Sequence, residues 1–408
     1  MSSQKNGSRF AAYLPDDWRL LISAFAAAYG IGWLSLLGLP FLIGSAMVSL
    51  HLDAAQAGLL VTVEFIGIML ASLAAAPFMG RTDRRLLSLI GAFAALSANG
   101  ISIIINSYDA LVIIRPIAGL GAGLAIACGN ATVSNAKNPE RFAGQMSMLA
   151  VVLMVVIMLT FSRLSELWGL AGVYAGMMAI TAMMLPGLIY LPKQNKHSDH
   201  ALTTTNGTEI EISKVCSILM LVAFFAFSLR DTMAWAFVER IGFEVGYTTE
   251  QIGNLLSVQA MLGITGPLIA SVLGSRFGMK APVVVGIVLS GLVTYVISQS
   301  SDSQLLYTIA TTFQPCTYFF TLAYLTALAA ELDIKGRVVA ASGSALMAGV
   351  AIGPIIGGRL IVDAGGYLLI GWVIFGCVIV TLLASLVPAF SIRPTVRTSR
   401  LVNEPTAQ

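Results

Sequence analysis

Four ionisable side chains lie inside long apolar runs of the sequence: Glu64, Arg115, Arg230 and Asp231. A charged residue within a membrane-embedded helix is costly, so it marks an ion or substrate pathway or pairs with a neighbouring helix. Glu64 is the first candidate proton-coupling residue and Asp231 is the second. The alternative for Glu64 is a structural partner for a nearby helix. For the adjacent Arg230 and Asp231 the alternative is a local pair at a helix break.

Glu64 and Arg115 fall at similar depths from the same side of the predicted membrane, so they are able to pair. The hypothesis that follows is that protonation of Glu64 frees Arg115 to bind an anionic substrate. Arg230 and Asp231 point about 100° apart on a helix, so they cannot both face one point. We expect one of them to face a cavity and the other to pair with helix 11 or 12.

The composition places these residues in a membrane protein. Apolar residues make up 57% of the 408 residues and charged residues make up 11%, against about 25% charged residues in soluble domains. Apolar runs of roughly 20 residues are long enough to span a bilayer as helices, and lipid offers no water to an unpaired backbone. The sequence therefore predicts an all-α integral membrane protein and not an enzyme.

No catalytic site, cofactor, metal or nucleic acid is expected. The four cysteines lie in apolar runs, the three histidines lie in predicted loops, and the sequence has no phosphate-binding glycine loop. These patterns give neither a metal-ligand cluster nor a nucleotide motif. The predicted partners are a small-molecule substrate, protons and the lipid bilayer, and the predicted functional unit is a monomer.

The sequence repeats itself without a gap, because residues 56–91 align with residues 251–286. Gln56 matches Gln251, and Arg81 falls on Arg276 in the same frame. Parallel repeats of this kind are typical of transporters built from two related halves.

Twelve apolar runs predict the helices of the two halves. They are roughly 20–48, 57–79, 86–106, 110–134, 143–163, 170–191, 214–238, 251–273, 282–299, 304–330, 338–361 and 367–389. The predicted domains are an N-terminal six-helix bundle, a polar cytoplasmic linker and a C-terminal six-helix bundle, at 1–192, 193–213 and 214–408.

Basic residues set the expected orientation. With the N-terminus in the cytoplasm, most of the 23 Lys and Arg residues fall in loops on the cytoplasmic side, as the positive-inside rule requires. The prediction is a multi-pass protein of the inner membrane with both termini in the cytoplasm.

Four motifs mark the chain: GRTDRR at 80–85, RPIAGLGAG at 115–123, GSRFGMK at 274–280 and KGRVVAASGSALMAGVAIGPIIGG at 335–358. Together they resemble the major facilitator superfamily of secondary transporters over nearly the whole chain. The resemblance implies two six-helix bundles that alternate access to a central site. It also implies a conformational latch at the cytoplasmic ends, formed by Gly80, Asp83, Arg84 and Arg85. For Arg84 the alternative is simple anchoring by positive charge.

The resemblance further implies that helices 1, 4, 7 and 10 surround the central cavity. Aromatic and amide side chains on these helices suit an aromatic molecule with a polar group. The substrate-binding candidates are Arg115, Arg230, Tyr29, Trp33, Asn130, Trp235, Gln314, Tyr318 and Tyr324, together with Gln259, the repeat mate of Glu64. The alternative for each aromatic residue is packing.

The predicted function is proton-coupled symport of a small organic solute, aromatic or anionic in character. Helix 5 lacks the Gly-Pro-Gly signature that is typical of drug exporters in this family, and helix 1 lacks an acid. Proton-driven efflux of amphipathic drugs or metabolites is the main alternative. A receptor or sensor that keeps the fold without transport is a third.

Overall fold

A computed structural model describes residues 17–79, 81–137, 139–193, 214–274, 276, 278–332 and 337–391. Gly80 and residues 194–213 of the predicted linker lie outside these ranges. All regular secondary structure within them is helical, and it forms twelve helices in two six-helix bundles, as predicted.

The N-terminal half holds helices α1 to α6. Helix α1 is built from four consecutive pieces, Trp18–Phe25, Ala26–Gly32, Leu34–Leu37 and Leu39–Ser49. The helices that follow are α2 (Ala54–Ala75, continued by Ala76–Phe78), α3 (Arg84–Ile104) and α4 (Tyr108–Thr132, continued by Val133–Asn135).

Helices α5 and α6 together occupy Pro139–Met184, and Leu185–Tyr190 continues α6. They are separated at Gly169, whose φ of 59° and ψ of −142° are not helical. The chain doubles back there, because Gly176 lies against Leu164 and Phe161. We therefore number residues 139–168 as α5 and residues 170–190 as α6.

The C-terminal half holds helices α7 to α12. They are α7 (Lys214–Glu244), α8 (Thr249–Leu262 and Thr265–Leu273), α9 (Lys280–Ser298), α10 (Gln304–Leu332), α11 (Arg337–Ala364) and α12 (Leu368–Ser391). Helix α7 runs six residues past its predicted end at residue 238, so it includes Glu239.

Nine helices of the described ranges are long and apolar enough to cross a membrane, and one of them, Arg141–Tyr190, contains both α5 and α6. Helices α1 and α10 are not among the nine, and α1 falls short because it is interrupted. Multiple apolar helices of this length make the protein a multi-pass membrane protein.

The repeat in the sequence begins at equivalent helix caps. The Asp53 side chain accepts a hydrogen bond from the Gln56 backbone N–H at 2.7 Å, and Thr248 accepts one from Gln251 at 3.2 Å. In both halves the glutamine side chain accepts a hydrogen bond from the backbone N–H of the capping residue in return, which completes a capping box. The matched glutamines thus start α2 and α8 in the same way.

Small residues allow the helices of each half to approach closely. Gly119 on α4 lies against the backbone of Glu64 on α2, and Gly91 on α3 lies against Gly121 on α4. A side chain at these glycines would overlap the facing backbone, so the glycine-rich run of α4 is a packing surface.

The two halves meet at one end of the bundle, which we call the far end. The near end, opposite to it, holds Trp18, Lys214 and Ser391. One buried apolar cluster contains far-end residues of both halves, among them Leu42, Phe161, Phe237 and Tyr307, whereas the buried clusters towards the near end each belong to a single half. The described core is therefore shared only at the far end.

Candidate functional site

One face of α7 points towards the N-terminal half. The Trp235 indole Nε1 donates a hydrogen bond to the backbone oxygen of Leu36 on α1 at 3.0 Å. Residues at i, i+4 and i+8 share a helix face, so Asp231, Trp235 and Glu239 lie along this face. Asp231 lies about one turn closer to the near end than the closed contact at Trp235.

A chain of polar side chains crosses three helices at Asp231. Gln314 on α10 donates through Nε2 to Asp231 Oδ1 at 2.9 Å, and Gln259 on α8 donates through Nε2 to Gln314 Oε1 at 2.8 Å. Gln259 and Gln314 are buried and Asp231 is partly exposed. The Gln259 Oε1 atom is buried and has no hydrogen-bond partner among the described residues. The structure thus brings together three of the predicted site residues.

Arg230 points away from this chain. Its Nη2 donates to Ser290 Oγ on α9 at 2.7 Å, and its guanidinium carbon lies 4.9 Å from the centroid of the Phe227 ring. Its side chain is fully buried and its Nε and Nη1 atoms have no partner among the described residues. Tyr318 stacks on Phe227 at 4.9 Å between centroids. Arg230 is therefore enclosed within the C-terminal half.

Glu64 and Arg115 form an ion pair inside the N-terminal half. Arg115 Nη2 lies 2.7 Å from Glu64 Oε2, and its Nε donates to the same oxygen at 3.0 Å. Its Nη1 donates to Asn99 Oδ1 at 2.8 Å, and its guanidinium lies over the Tyr174 ring. The Ser35 hydroxyl donates to Glu64 Oε1.

This pairing encloses Arg115 between α2, α3 and α6. Its side chain is 1% exposed and that of Glu64 is 3% exposed. Arg115 therefore does not face a central cavity in this structure, contrary to the prediction. The predicted anionic character of the substrate depended on that placement of Arg115. The cause is local, because the glutamate and the asparagine that satisfy the guanidinium both belong to its own half.

The two halves build related polar networks at equivalent positions. With the repeat offset of 195 residues, from Gln56 to Gln251, Glu64 corresponds to Gln259 and Ser35 corresponds to Arg230. The N-terminal network is a charged pair that is fully buried. The C-terminal network instead joins two amides and the carboxylate of the partly exposed Asp231.

The other predicted substrate contacts differ in placement. Tyr29 and Trp33 are partly buried on α1, and Asn130 is exposed on α4. The Tyr324 hydroxyl donates to the backbone oxygen of Gly274 at 2.9 Å, where it caps the end of α8. Tyr324 therefore has a structural role in this conformation.

The predicted latch lies in the connection between α2 and α3, and its Gly80 is outside the described ranges. Asp83 caps α3 by accepting hydrogen bonds from the backbone N–H groups of Arg85 and Leu86 at 3.0 and 3.2 Å. Arg84 is 1% exposed. It donates to the backbone oxygens of Met79 and Ala131, both at 2.9 Å, and to Asn135 Oδ1 at 2.7 Å.

These contacts correct the interpretation of Arg84 as an anchor that acts by charge alone. Its guanidinium ties the α2–α3 connection to the end of α4, all within the N-terminal half. A contact of this loop with the other half stays a prediction.

Sequence reasoning missed Glu239, because it ended helix 7 at residue 238. The repeat contained the signal for its position: α1 ends at Ser49, and the same offset of 195 residues places the end of α7 at Glu244, where the structure has it. Glu239 is 4% exposed and lies against Gly44 of α1.

Comparison with known proteins fits this architecture. Residues 218–407 match the sequence model of the Major Facilitator Superfamily. No curated protein matches the sequence. The crystal structure of the nucleoside transporter NupG superposes with a TM-score of 0.71 at 13% identity, covering 92% of this chain and 99% of that chain. That of its D323A mutant superposes with a TM-score of 0.67 at 14% identity, covering 91% and 98%.

The twelve helices of the described residues have the fold of a membrane transporter. The match to the Major Facilitator Superfamily covers the C-terminal half of the chain, and the solved structures share the fold of both halves, in agreement with the resemblance that the sequence motifs predicted. The solved structures share its fold, and at this level of identity they do not define its substrate.

Proposed function

We propose that the chain is a proton-coupled symporter of a small polar organic solute. In this proposal Asp231 is the coupling carboxylate, and Gln314 and Gln259 bind the solute. The supporting observation is the polar chain from Asp231 through Gln314 to Gln259. This chain lies on the near-end side of the closed contact at Trp235. A solute and a proton would enter or leave together from that side.

The groups of this site favour a neutral solute with hydrogen-bond donors. Asp231 supplies acceptors, and the unpaired Gln259 Oε1 supplies another. Tyr318 lies beside them on α10 and is partly exposed, so an aromatic ring in the solute would find an aromatic surface. An anion is disfavoured, because Arg115 and Arg230 are both enclosed within their own halves.

Proton-driven efflux of amphipathic cations is the second candidate. Asp231 favours it, because this residue is partly exposed and a carboxylate is able to bind either a proton or a cationic solute. The two candidates differ in the charge of the solute and in the direction of flux.

A two-stage experiment tests the proposal. Purified protein is screened by thermal shift against neutral polar aromatic solutes, aromatic carboxylates and lipophilic cations, since a ligand that binds the folded state raises Tm. Nucleosides are included among the neutral solutes because the solved structures with a similar fold are of a nucleoside transporter. Solutes that stabilise the protein are then followed into liposomes with an imposed pH gradient.

We expect a neutral polar solute to accumulate with the gradient, and Asp231→Asn to abolish this accumulation while exchange of solute across the membrane continues. The matched control is Asp109→Asn, which changes an exposed carboxylate at the start of α4. If the protein extrudes lipophilic cations and accumulates no neutral solute, the efflux candidate is correct and the symport candidate is wrong. Binding without any flux would favour a receptor.

A further inference from the structure

Glu239 is a buried acid at the contact between the two halves, and one of its carboxylate oxygens has no hydrogen-bond partner in the described part of the chain. It is 4% exposed, and its Oε2 accepts no hydrogen bond from any residue in the described part of the chain. The carboxylate lies directly against the backbone of Gly44 on α1, where any side chain on Gly44 would overlap it. A carboxylate buried in this way is costly in its charged form and less costly when neutral.

The position of Glu239 is special by symmetry. The repeat offset of 195 residues makes Gly44 and Glu239 equivalent residues of the two halves. Equivalent residues touch each other only near the axis that relates the repeats, which in this architecture runs along the membrane normal. Separation of α1 from α7 at the far end therefore removes the contact between Gly44 and Glu239.

The ionisable neighbours of Glu239 are few. Helix α1 contributes none along Leu39–Ser49. On α7, the guanidinium of Arg240 lies over the Phe243 ring, and Glu244 is one turn further on. On α10, the Tyr307 hydroxyl donates to the backbone oxygen of Val238 at 2.7 Å, and Tyr367 precedes α12. None of these groups donates a hydrogen bond to Glu239 Oε2.

From this geometry we infer that Glu239 is a second proton-binding site, and that its protonation closes the far end. In the closed contact the neutral acid fits against Gly44, whereas the ionised carboxylate would have a buried Oε2 without a donor among the described residues. When α1 and α7 separate, water reaches the carboxylate and it ionises. A ligand that binds one of two states more tightly shifts the population towards that state, so proton binding favours closure.

This inference rests on the proposed function and adds the far-end gate to it. A proton taken up by Glu239 from the far side would close the gate behind a bound solute. Asp231 would bind the proton that is transported with the solute, while protonation of Glu239 would close the far end. The two carboxylates thus have separate roles on one face of α7, eight residues apart.

The experiment measures the far end directly and needs no substrate. The four native cysteines are replaced, and spin labels are placed at the exposed Val48 on α1 and Phe243 on α7, which are 60% and 53% exposed. Pulsed electron paramagnetic resonance in lipid nanodiscs gives the distance distribution from pH 5.5 to 8.5. We expect the short-distance population to dominate at acid pH, with an open-to-closed ratio that rises by up to about tenfold per pH unit for one linked proton.

Two variants remove the titrating group. Glu239→Gln keeps the shape of the neutral acid and Glu239→Leu removes its polarity, and both are expected to stay closed at every pH. The matched control is Glu250→Gln at the same end, which removes an exposed carboxylate and should keep the pH dependence.

A pH dependence of wild-type size in both Glu239 variants would overturn the inference, and so would a wild-type distance that does not respond to pH. A shift driven by sodium at constant pH would assign the site to a metal cation instead. If the distances respond as expected but liposomes show no proton-coupled flux, the gate stands and the proposed transport function fails.

Discussion

The Glu64–Arg115 pair is a structural element of the N-terminal half in this conformation. The guanidinium contacts the carboxylate, an amide and an aromatic ring, and both side chains are shielded from water. Removal of one partner from such a pair leaves an uncompensated buried charge, which typically costs about 3–5 kcal/mol. We therefore expect Glu64→Gln to lower the free energy of unfolding by about this amount, as measured by denaturant or thermal unfolding in detergent.

The double variant Glu64→Leu with Arg115→Met provides the control, because it removes both charges and should recover much of the lost stability. If Glu64→Gln is as stable as the wild type but uncoupled from protons, Glu64 is a proton carrier instead. The same variant thus distinguishes the two interpretations of this residue.

The sequence predicted the proximity of Glu64 and Arg115 correctly, because depth along two helices can be counted from the ends of apolar runs. It could not predict the direction in which the guanidinium points. That direction depends on Asn99 and Ser102, which accept hydrogen bonds from the guanidinium, and the sequence does not show which neighbouring helix these α3 side chains face. Glu239 was missed for a different reason: a Glu-Arg pair at the end of an apolar run is typical of a helix terminus.

At the scale of the elements, α2 and α11 touch through glycine. Gly58 lies against the backbone oxygen of Pro354, and Gly358 lies against that of Ala54. The glycine-rich pattern of helix 11 is thus a contact between the halves at the far end. The sequence indicated close packing for this run, but its partner follows only from the tertiary structure.

Gly358→Val is expected to open the far end. A side chain at this position overlaps the α2 backbone, and overpacking of this kind typically costs about 1–3 kcal/mol. The cost falls on the closed state alone if α2 and α11 separate in the open state. The measurement is the distance between labels at Val48 and Phe243, which should shift towards the open population at every pH.

The control for this substitution is Gly376→Val on α12, where no other atom lies within 4 Å of the added carbon. It carries the same change in size and β-branching without the clash. An equal shift in both variants would show that valine destabilises the helices in general and that the α2–α11 contact does not hold the gate.

At the scale of the whole molecule, sequence reasoning gave the architecture and left the conformation open. Twelve apolar runs and an internal repeat determine two six-helix bundles, since each run must be a helix in lipid. The end at which the bundles touch is not encoded in this pattern, because the same apolar runs are compatible with more than one arrangement of the two halves.

The orientation of the molecule in the membrane is a prediction that labelling checks. Arg81 is exposed at the near end and Asp109 is exposed at the far end. If the near end is cytoplasmic, as the basic residues indicate, an impermeant thiol reagent should label Asp109→Cys in intact cells. It should label Arg81→Cys only after permeabilisation, in a background without the native cysteines. The reverse pattern would place the termini outside.

Two kinds of contact join the halves at the far end, an exposed ion pair and a buried apolar cluster. Arg163 and Glu250 join the halves at 2.5 Å, yet their side chains remain 57% and 45% exposed. Exposed ion pairs contribute about 0–1 kcal/mol and are screened by salt, whereas the apolar cluster shared by the halves is buried. Glu250→Gln should therefore change the open-to-closed ratio by less than about fivefold. Gly358→Val should change the open-to-closed ratio by more than this. For the wild type, 0.5 M salt should change the ratio by the same amount as Glu250→Gln does. If Glu250→Gln opens the far end as fully as Gly358→Val does, the ion pair and not the shared core controls the gate.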